Sequence, residues 1–318
     1  MNCFEGKDLV TVRGLERSDL DLLFTNARKM EAIAKGGTRS SLLNDKMLGL
    51  MFFQVSTRTR MSFESAMKRL GGATVGFADP KTTRAGDYYA ESLNDMVHMM
   101  ENYADVLVIR HPQDGAAAEA ARIADRPVIN AGDGYNEHPT QALLDLYTIL
   151  REMGRLDDLK VGMVGDLNIR VHHSLALGLA LYNTKAYFIS PPDVTMPATW
   201  LEEFQQVGLD FEETSSLEEV IEDLDVIYLL PVRSPSYSVG RAEAETKRIP
   251  LPQEFVLDEG KLGKVKPDAI VLHPLPRTEE LPPENDGHPS ARYFEQAYYG
   301  VPVRMALLAM ILGRTLAD

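Results

Sequence analysis

The chain has little of several residue types that mark other classes of protein. A single cysteine, Cys3, among 318 residues excludes an intramolecular disulfide framework. The sequence has no run of about 18 apolar residues, so no membrane-spanning helix is expected. It also shows no charged and then apolar leader, so no secretory signal is expected. These absences predict a cytoplasmic protein.

Positive charge is also scarce. The chain has 33 Lys and Arg residues against 47 Asp and Glu residues, which gives a formal net charge of −14 at pH 7. This balance disfavours nucleic acid or an anionic membrane surface as a partner. An anionic ligand must therefore be attracted by a local basic cluster. The length and the 44% of hydrophobic residues suffice for two domains, each with its own core.

One such basic cluster follows the apolar run at residues 47–53, which predicts a buried strand. Residues 56–60 read S-T-R-T-R, and apolar residues recur at helical spacing from Thr59 onward. A helix N-terminus offers unpaired backbone N–H groups and the positive end of the helix dipole. Together with hydroxyls and a guanidinium group, these suit a phosphate. The alternative is a Ser/Thr helix cap with two solvated arginines.

Two later junctions repeat this pattern. Arg110 follows a strand predicted at residues 106–109, and open parallel sheets bind ligands at the carboxyl ends of their strands. His138 precedes a helix that begins at Pro139 after a glycine-rich turn. The helix dipole there favours a neutral imidazole, which can still donate one hydrogen bond to a carbonyl oxygen. For each residue alone, a surface ion pair or a capping histidine is the simpler interpretation.

A polar segment at residues 154–158 divides two successive series of predicted strands and helices. The sequence therefore predicts an α/β domain at residues 1–150 and a second one at residues 151–294, each with an open sheet. The second series starts with a strand at residues 160–164, and a final helix is predicted at residues 303–316. The turn after residue 164 lacks the full G-x-G-x-x-G pattern, which argues against a nicotinamide cofactor.

Five sequence blocks stand in order along nearly the whole chain. They are residues 56–60 (S-T-R-T-R), 108–112 (V-I-R-H-P), 130–141 (N-A-G-D-G through H-P-T-Q), 165–167 (G-D-L) and 273–277 (H-P-L-P-R). In these blocks the chain resembles the aspartate and ornithine carbamoyltransferase family, and it looks most like the aspartate branch.

The resemblance implies two open parallel-sheet α/β domains, with a C-terminal helix at about residues 295–318 that returns to the first domain. The first domain would bind carbamoyl phosphate and the second an amino acceptor. The implied reaction is attack of an uncharged amine on the carbonyl carbon of carbamoyl phosphate, followed by loss of phosphate. It needs no metal or organic cofactor, because orientation and electrostatic stabilisation supply the catalysis.

The resemblance also assigns roles to residues. Those that would hold the phosphate are Ser56, Thr57, Arg58 and Thr59. Those that would donate to the carbonyl oxygen are Thr59, Arg110 and His138. Those that would hold the carbamoyl amide are Gln141, Pro274 and Leu275. Arg58, Thr59, Arg110 and His138 form the expected catalytic set.

The chain departs from the family in a loop that a neighbouring subunit contributes across a trimer interface. The family's loop lysine is missing, and its position falls on Tyr88 or Tyr89. Arg84 stands where a loop serine is expected and supplies a candidate cation. The resemblance thus implies a homotrimer with a modified loop.

A second departure concerns the acceptor site. The arginine that would bind the acceptor's side-chain carboxylate falls on Pro231, whereas Arg233 stands two places further on. Arg170 matches the family arginine for an acceptor carboxylate, although the spacing is one residue shorter. Val55 also replaces a proline before the motif serine. A buried carboxylate that loses its cation is costly, so these changes put the usual acceptor in question.

Three hypotheses for the acceptor stay open. The first is L-aspartate, which would give N-carbamoyl-aspartate for pyrimidine biosynthesis, with possible association with other chains of that pathway. The second is another anionic amine, such as a ureidoglycine-like or ornithine-like compound, although the absence of an S-M-G loop weighs against ornithine itself. The third is a non-catalytic paralogue that binds carbamoyl phosphate or serves as a scaffold.

Overall fold

The computed structural model describes residues 3–36, 40–86, 91–232 and 251–316. These residues pack into two compact units. The first falls within Met1–Leu144 and Tyr298–Asp318, and the second within Asp145–Ala297. Each unit is built on one parallel sheet, which confirms the predicted fold class.

The first unit has a four-stranded sheet in the order β2-β1-β3-β4. Its strands are β1 (Met47–Phe52), β2 (Ala73–Phe77), β3 (Val106–His111) and β4 (Val128–Asp133). Its helices are α1 (Arg17–Ala34), α2 (Thr57–Arg69), α3 (Leu93–Met100), α4 (Ala116–Ile123) and the first part of α5 (Pro139–Met153). The central strands are continuous apolar runs because a sheet covered on both faces buries both sets of side chains.

The strand register brings three carboxyl ends to one edge of this sheet. Phe52 at the end of β1 pairs with Arg110, and the Phe53 N–H donates to the Arg110 carbonyl oxygen at 2.9 Å. His111 pairs with Asp133 at the end of β4. Arg110 therefore lies within β3 and not just past it as predicted, because ladder pairing extends the strand through the polar residues.

The second unit has a five-stranded parallel sheet in the order β7-β6-β5-β8-β9. Its strands are β5 (Leu159–Val164), β6 (Thr184–Ile189), β7 (Asp210–Thr214), β8 (Val226–Leu229) and β9 (Ile270–Leu272). Its helices are α6 (Arg170–Leu179), α7 (Ala198–Gln206), α8 (Glu259–Leu262) and the first part of α9 (Tyr293–Ile311). Helix α6 begins directly after Ile169, so Arg170 opens the helix.

The last helix, α9, begins ten residues earlier than the sequence predicts and contains Pro302 in its interior. From Tyr298 onward it belongs to the first unit, which confirms the expected return of the C-terminal helix. There the Tyr298 hydroxyl donates to the Glu31 carbonyl oxygen of α1 at 3.2 Å. Among the described residues, no helix is both long and apolar enough to cross a membrane.

Candidate active site

The N-terminus of α2 lies at the carboxyl edge of the first sheet. Ser56 caps the helix with an extended backbone, yet its side chain makes no capping hydrogen bond. Thr57 and Arg58 are exposed in the first turn, whose backbone N–H groups have no partner within the helix. Hydroxyls, a guanidinium group and helix N–H groups thus share one solvent-facing site, a combination suited to a phosphate.

The second arginine of the motif has a different environment. Arg60 Nη1 lies 3.2 Å from Glu64 Oε2 one turn later, and Glu64 Oε1 lies 2.6 Å from Lys68 Nζ. The hydrogen bond from Lys68 is the main reason that the pKa of Glu64 is held below its ordinary value. Arg60 therefore takes part in an ion-pair network along the helix surface.

The three residues predicted to bind a carbonyl oxygen converge. His138 Nε2 lies 3.5 Å from Thr59 Oγ1 and 3.4 Å from Arg110 Nη1. Arg110 Nη1 also donates to the Ala131 carbonyl oxygen at 3.0 Å, which fixes the guanidinium group. All three side chains are buried. Gln141, also buried, lies on the first turn of α5, where its N–H donates to the His138 carbonyl oxygen at 2.9 Å.

The buried carboxylate of Asp133 fixes the turn that precedes His138. Asp133 accepts hydrogen bonds from the Gly115 N–H and the Asn130 side-chain amide, both at 2.8 Å. Gly134 adopts φ 46°, and a Cβ there would lie 1.7 Å from Asp114 Oδ1, so only glycine fits. The N-A-G-D-G segment is recognisable in the sequence, whereas the structural role of Asp133 follows only from these contacts.

Glu137, directly before His138, is a further residue that sequence analysis missed. Its fully buried carboxylate accepts from the Val12 N–H at 2.9 Å, from the Thr11 hydroxyl and from Arg13 Nη1. Residues 11–13 precede Glu137 by about 125 positions, so no local sequence signal identifies these partners. These contacts from residues 11–13 thereby stabilise the N-terminus of α5.

Arg304 of α9 is a second residue that sequence analysis missed. Its side chain is only 3% exposed and lies over the Phe63 ring, 5.0 Å from the centroid. Arg304 Nη1 donates to Ser62 Oγ at 2.9 Å, and Ser62 Oγ donates to the Thr59 carbonyl oxygen at 2.9 Å. Arg304 Nη2 lies 3.4 Å from Thr140 Oγ1 in α5. The feature of the sequence that could have identified Arg304 is a lone arginine within an apolar helix.

In the second unit, Pro274 and Leu275 lie in a turn after β9. Leu275 adopts φ 59°, and its N–H donates to His273 Nδ1 at 2.8 Å. His273 Nε2 lies 2.8 Å from Glu280 Oε1. Burial alone would raise the pKa of Glu280, but hydrogen bonds from His273 and Thr278 outweigh it and hold that pKa below its ordinary value.

The predicted acceptor residues follow neighbouring strands of the second sheet. Gly165, at the end of β5, adopts φ 118°, and a Cβ there would lie 2.1 Å from the Leu230 carbonyl oxygen. The next N–H, of Asp166, donates to the Pro231 carbonyl oxygen at 3.3 Å. The turns after β5 and β8 therefore lie in contact. Arg170 opens α6 within this region and is almost fully buried.

The remaining predicted site residues lie on segments near the limits of the described chain. Arg84 is exposed in a short 3₁₀ turn, Arg84–Gly86, of the first unit. Tyr88, Tyr89 and Arg233 lie outside the described residues. Among the residues that are described, no group of three or more His, Cys, Asp or Glu side chains is arranged to hold a metal ion.

Comparisons with known proteins agree with this geometry. Residues 7–151 match the family model described as the aspartate/ornithine carbamoyltransferase carbamoyl-P binding domain, and residues 157–311 match the model of its Asp/Orn binding domain. An aspartate carbamoyltransferase catalytic subunit from Methanopyrus kandleri is 43% identical over 98% of this chain and 99% of its own. One from Methanothermobacter thermautotrophicus is 43% identical over 96% of both chains.

Solved structures give the same result. Aspartate transcarbamoylase from Trypanosoma cruzi in complex with N-(phosphonacetyl)-L-aspartic acid superposes with a TM-score of 0.89, at 33% identity over 98% of both chains. The same enzyme in complex with carbamoyl phosphate and aspartate gives a TM-score of 0.86, at 33% identity over 97% of both. The chain belongs to the aspartate/ornithine carbamoyltransferase family.

Proposed function

We propose that this chain is a catalytic chain of aspartate carbamoyltransferase, which transfers the carbamoyl group from carbamoyl phosphate to the amine of L-aspartate. The convergence of Thr59, Arg110 and His138 beside the N-terminus of α2 carries the proposal. It places candidate hydrogen-bond donors for a carbonyl oxygen next to an anion site. Residues 1–150, with the C-terminal helix, would bind carbamoyl phosphate, and residues 151–294 would bind the acceptor.

In the proposed reaction, the phosphate lies on the first turn of α2. Ser56, Thr57, Thr59 and Arg58 bind its oxygens, and the helix dipole stabilises the charge that the phosphate gains on leaving. Thr59, Arg110 and His138 stabilise the negative charge that develops on the carbonyl oxygen when the amine attacks. Gln141, Pro274 and Leu275 hold the carbamoyl amide, whose NH2 donates to carbonyl acceptors.

L-Aspartate is the proposed acceptor because relatives at 43% identity over nearly the whole chain are named aspartate carbamoyltransferase catalytic subunits. Arg170 and Arg233 would bind its two carboxylates, since guanidinium groups form bidentate pairs with carboxylates. In this assignment Arg233 replaces the arginine whose usual position falls on Pro231. Production of N-carbamoyl-aspartate would place the chain in pyrimidine biosynthesis.

A homotrimer is also part of the proposal. The family completes its site with a loop from a neighbouring subunit, and exposed Arg84 is the candidate cation for that role, beside Tyr88 and Tyr89. Sedimentation at micromolar concentration should give a trimer, whereas a stable monomer would contradict this part of the proposal. A cytoplasmic location, supported by the single cysteine, stays a prediction.

The two motif arginines provide a matched test of the phosphate site. Arg58→Gln removes the guanidinium group at the first turn of α2, whereas Arg60→Gln removes one that pairs with Glu64. We expect Arg58→Gln to lower kcat about 100- to 1,000-fold, the usual effect of losing a group that stabilises transition-state charge. Arg60→Gln should leave kcat nearly unchanged. Equal effects of the two variants would contradict the assignment of the anion site.

A further inference from the structure

The turn that carries Pro274 and Leu275 is held by an unusual set of buried groups. Leu275 adopts φ 59°, a left-handed conformation that is uncommon outside glycine and persists only when the surroundings hold it in place. The Leu275 N–H donates to His273 Nδ1 at 2.8 Å. This hydrogen bond fixes the peptide plane between Pro274 and Leu275.

The orientation of that peptide plane determines where the Pro274 carbonyl points. This peptide is trans, so its C=O and N–H point in opposite directions. With the N–H directed at His273, the Pro274 carbonyl oxygen must face away from the imidazole. The proposed function assigns this carbonyl, with that of Leu275, to the carbamoyl amide.

The hydrogen bonds also define the tautomer of His273. Because Nδ1 accepts from the Leu275 N–H, the proton of the ring lies on Nε2, which faces Glu280 Oε1 at 2.8 Å. Glu280 also accepts from the Thr278 N–H at 2.8 Å and from the Thr278 hydroxyl. His273 and Glu280 are both buried, so this carboxylate–imidazole pair is shielded from water.

Further contacts fix the base of the turn. The His273 N–H donates to Gln296 Oε1 of α9 at 2.8 Å, and Gln296 Nε2 donates to Asp145 Oδ1 of α5 at 2.7 Å. Asp145 Oδ2 accepts from the Tyr228 hydroxyl of β8 at 2.8 Å. His273 is therefore held both by its backbone N–H and by its two ring nitrogens.

We propose that His273 and Glu280 are positioning residues that make the enzyme specific for a carbamoyl group over other acyl groups. Glu280 holds the His273 ring in one tautomer, His273 holds the Leu275 N–H, and the Pro274 carbonyl is thereby directed to accept from the substrate NH2. The inference rests on the proposed function. A site built to bind an NH2 group discriminates strongly against an analogue that lacks it, because its acceptors would stay unpaired.

Acetyl phosphate provides the matching probe, since it has a methyl group where carbamoyl phosphate has NH2. Two variants of His273 separate positioning from a structural role. His273→Asn keeps an acceptor close to the place of Nδ1, whereas His273→Gln keeps a polar group near Glu280 but not at Leu275. The Asn variant loses the contact with Glu280, so a purely structural role predicts that it is the more damaging one.

The experiment measures the Kd of the full chain for carbamoyl phosphate and for acetyl phosphate by calorimetry, with folding checked by circular dichroism. We expect His273→Gln to weaken carbamoyl phosphate binding about 10- to 100-fold, the cost of misplaced binding groups, with little change for acetyl phosphate. His273→Asn should restore most of the preference. Equal weakening of both ligands, or a greater loss in His273→Asn, would overturn the proposal.

Glu280 provides a second pair of variants that leaves His273 in place. Glu280→Gln retains an acceptor for the His273 Nε2–H, whereas Glu280→Ala removes it. We expect Glu280→Ala to lose the preference for carbamoyl phosphate and Glu280→Gln to keep it; unchanged preference in Glu280→Ala would overturn the proposal even if the His273 variants failed to fold. If the unmodified chain bound no carbamoyl phosphate, the proposed function itself would fail.

Discussion

At the scale of single residues, the first unit contains side chains proposed to take part in the reaction and other side chains that hold them in place. Thr59 Oγ1 and Arg110 Nη1 each lie within 3.5 Å of His138 Nε2. Asp133 and Glu137 fix the turn that presents His138. The proposed catalytic histidine, His138, is therefore positioned by buried carboxylates on either side of Gly134–Asn136.

Replacement of His138 tests its role directly. His138→Asn removes the imidazole that would donate to the developing oxyanion, so we expect kcat to fall about 100- to 1,000-fold. The control is His98→Asn, because His98 is exposed on α3 and paired with Glu101 at 2.9 Å. Steady-state phosphate release measures both. A His138 variant with normal kcat would exclude the imidazole from the chemistry.

The residues found from the sequence share one property, which the missed residues lack. Ser56, Arg58 and His138 stand next to their neighbours in recognisable motifs at strand ends, so local pattern suffices. Arg304 and Glu137 are defined by partners more than 100 positions away, which a local pattern does not reveal. Tertiary contacts, not sequence neighbours, determine their roles.

At the scale of elements, the N-termini of α2 and α5 must be held together for the site to exist. Arg304 of α9 contacts both helices, through Ser62 and through Thr140. The C-terminal helix thus supports the site although it contributes none of the predicted catalytic residues.

Arg304→Met tests this support. The variant keeps an apolar stem against Phe63 but removes hydrogen bonds to the half-buried Ser62 hydroxyl and the buried Thr140 hydroxyl, so we expect the free energy of unfolding to fall by about 1–3 kcal/mol. Carbamoyl phosphate should also bind more weakly. Arg314→Met is the control, since exposed Arg314 makes only a 3.5 Å contact with exposed Asp45 and should change stability by less than about 1 kcal/mol. Urea unfolding and calorimetry distinguish the two, and equal losses would argue against the supporting role.

The strands at residues 47–53, 106–109 and 160–164 could be predicted from the sequence because buried parallel strands are continuous apolar runs. Strand β7 has no such run, because its sequence, D-F-E-E-T, is acidic, as suits the edge of a sheet. The start of α9 was missed because Pro302 predicts a helix boundary, whereas the helix continues through it. Element ends follow tertiary packing, which overrides local propensity.

At the scale of the whole molecule, a polar cluster in the second unit contributes to stability in acid. Asp286 accepts from Arg277 Nη2 at 2.9 Å and from the Tyr293 hydroxyl at 2.5 Å. The hydrogen bond from Arg277, followed by that from Tyr293, lowers the pKa of Asp286 from 3.8 to about 2. A carboxylate with a lowered folded-state pKa stabilises the fold above its unfolded pKa.

Asp286→Asn should therefore reduce the dependence of stability on pH. In the unmodified chain, this contribution is lost as the pH falls from 3.8 to about 2, and in the variant it is absent throughout. Because the Asp286 side chain is 36% exposed, the expected loss at neutral pH is only about 0.5–1 kcal/mol. Urea unfolding at pH 6 and pH 3 measures it. A variant with the same slope against pH as the unmodified chain would contradict the role of the cluster.

Product analysis tests the central claim about the whole chain most directly. The full chain is incubated with carbamoyl phosphate and either L-aspartate or an amine with a single carboxylate. Both phosphate and the carbamoylated product are measured. The Arg233→Ala variant is assayed in the same way. We predict efficient formation of N-carbamoyl-L-aspartate, little product from the other amines, and a lower kcat/KM for aspartate in the variant. Carbamoyl phosphate binding without any N-carbamoyl-L-aspartate, or faster turnover of a single-carboxylate amine, would contradict the assignment.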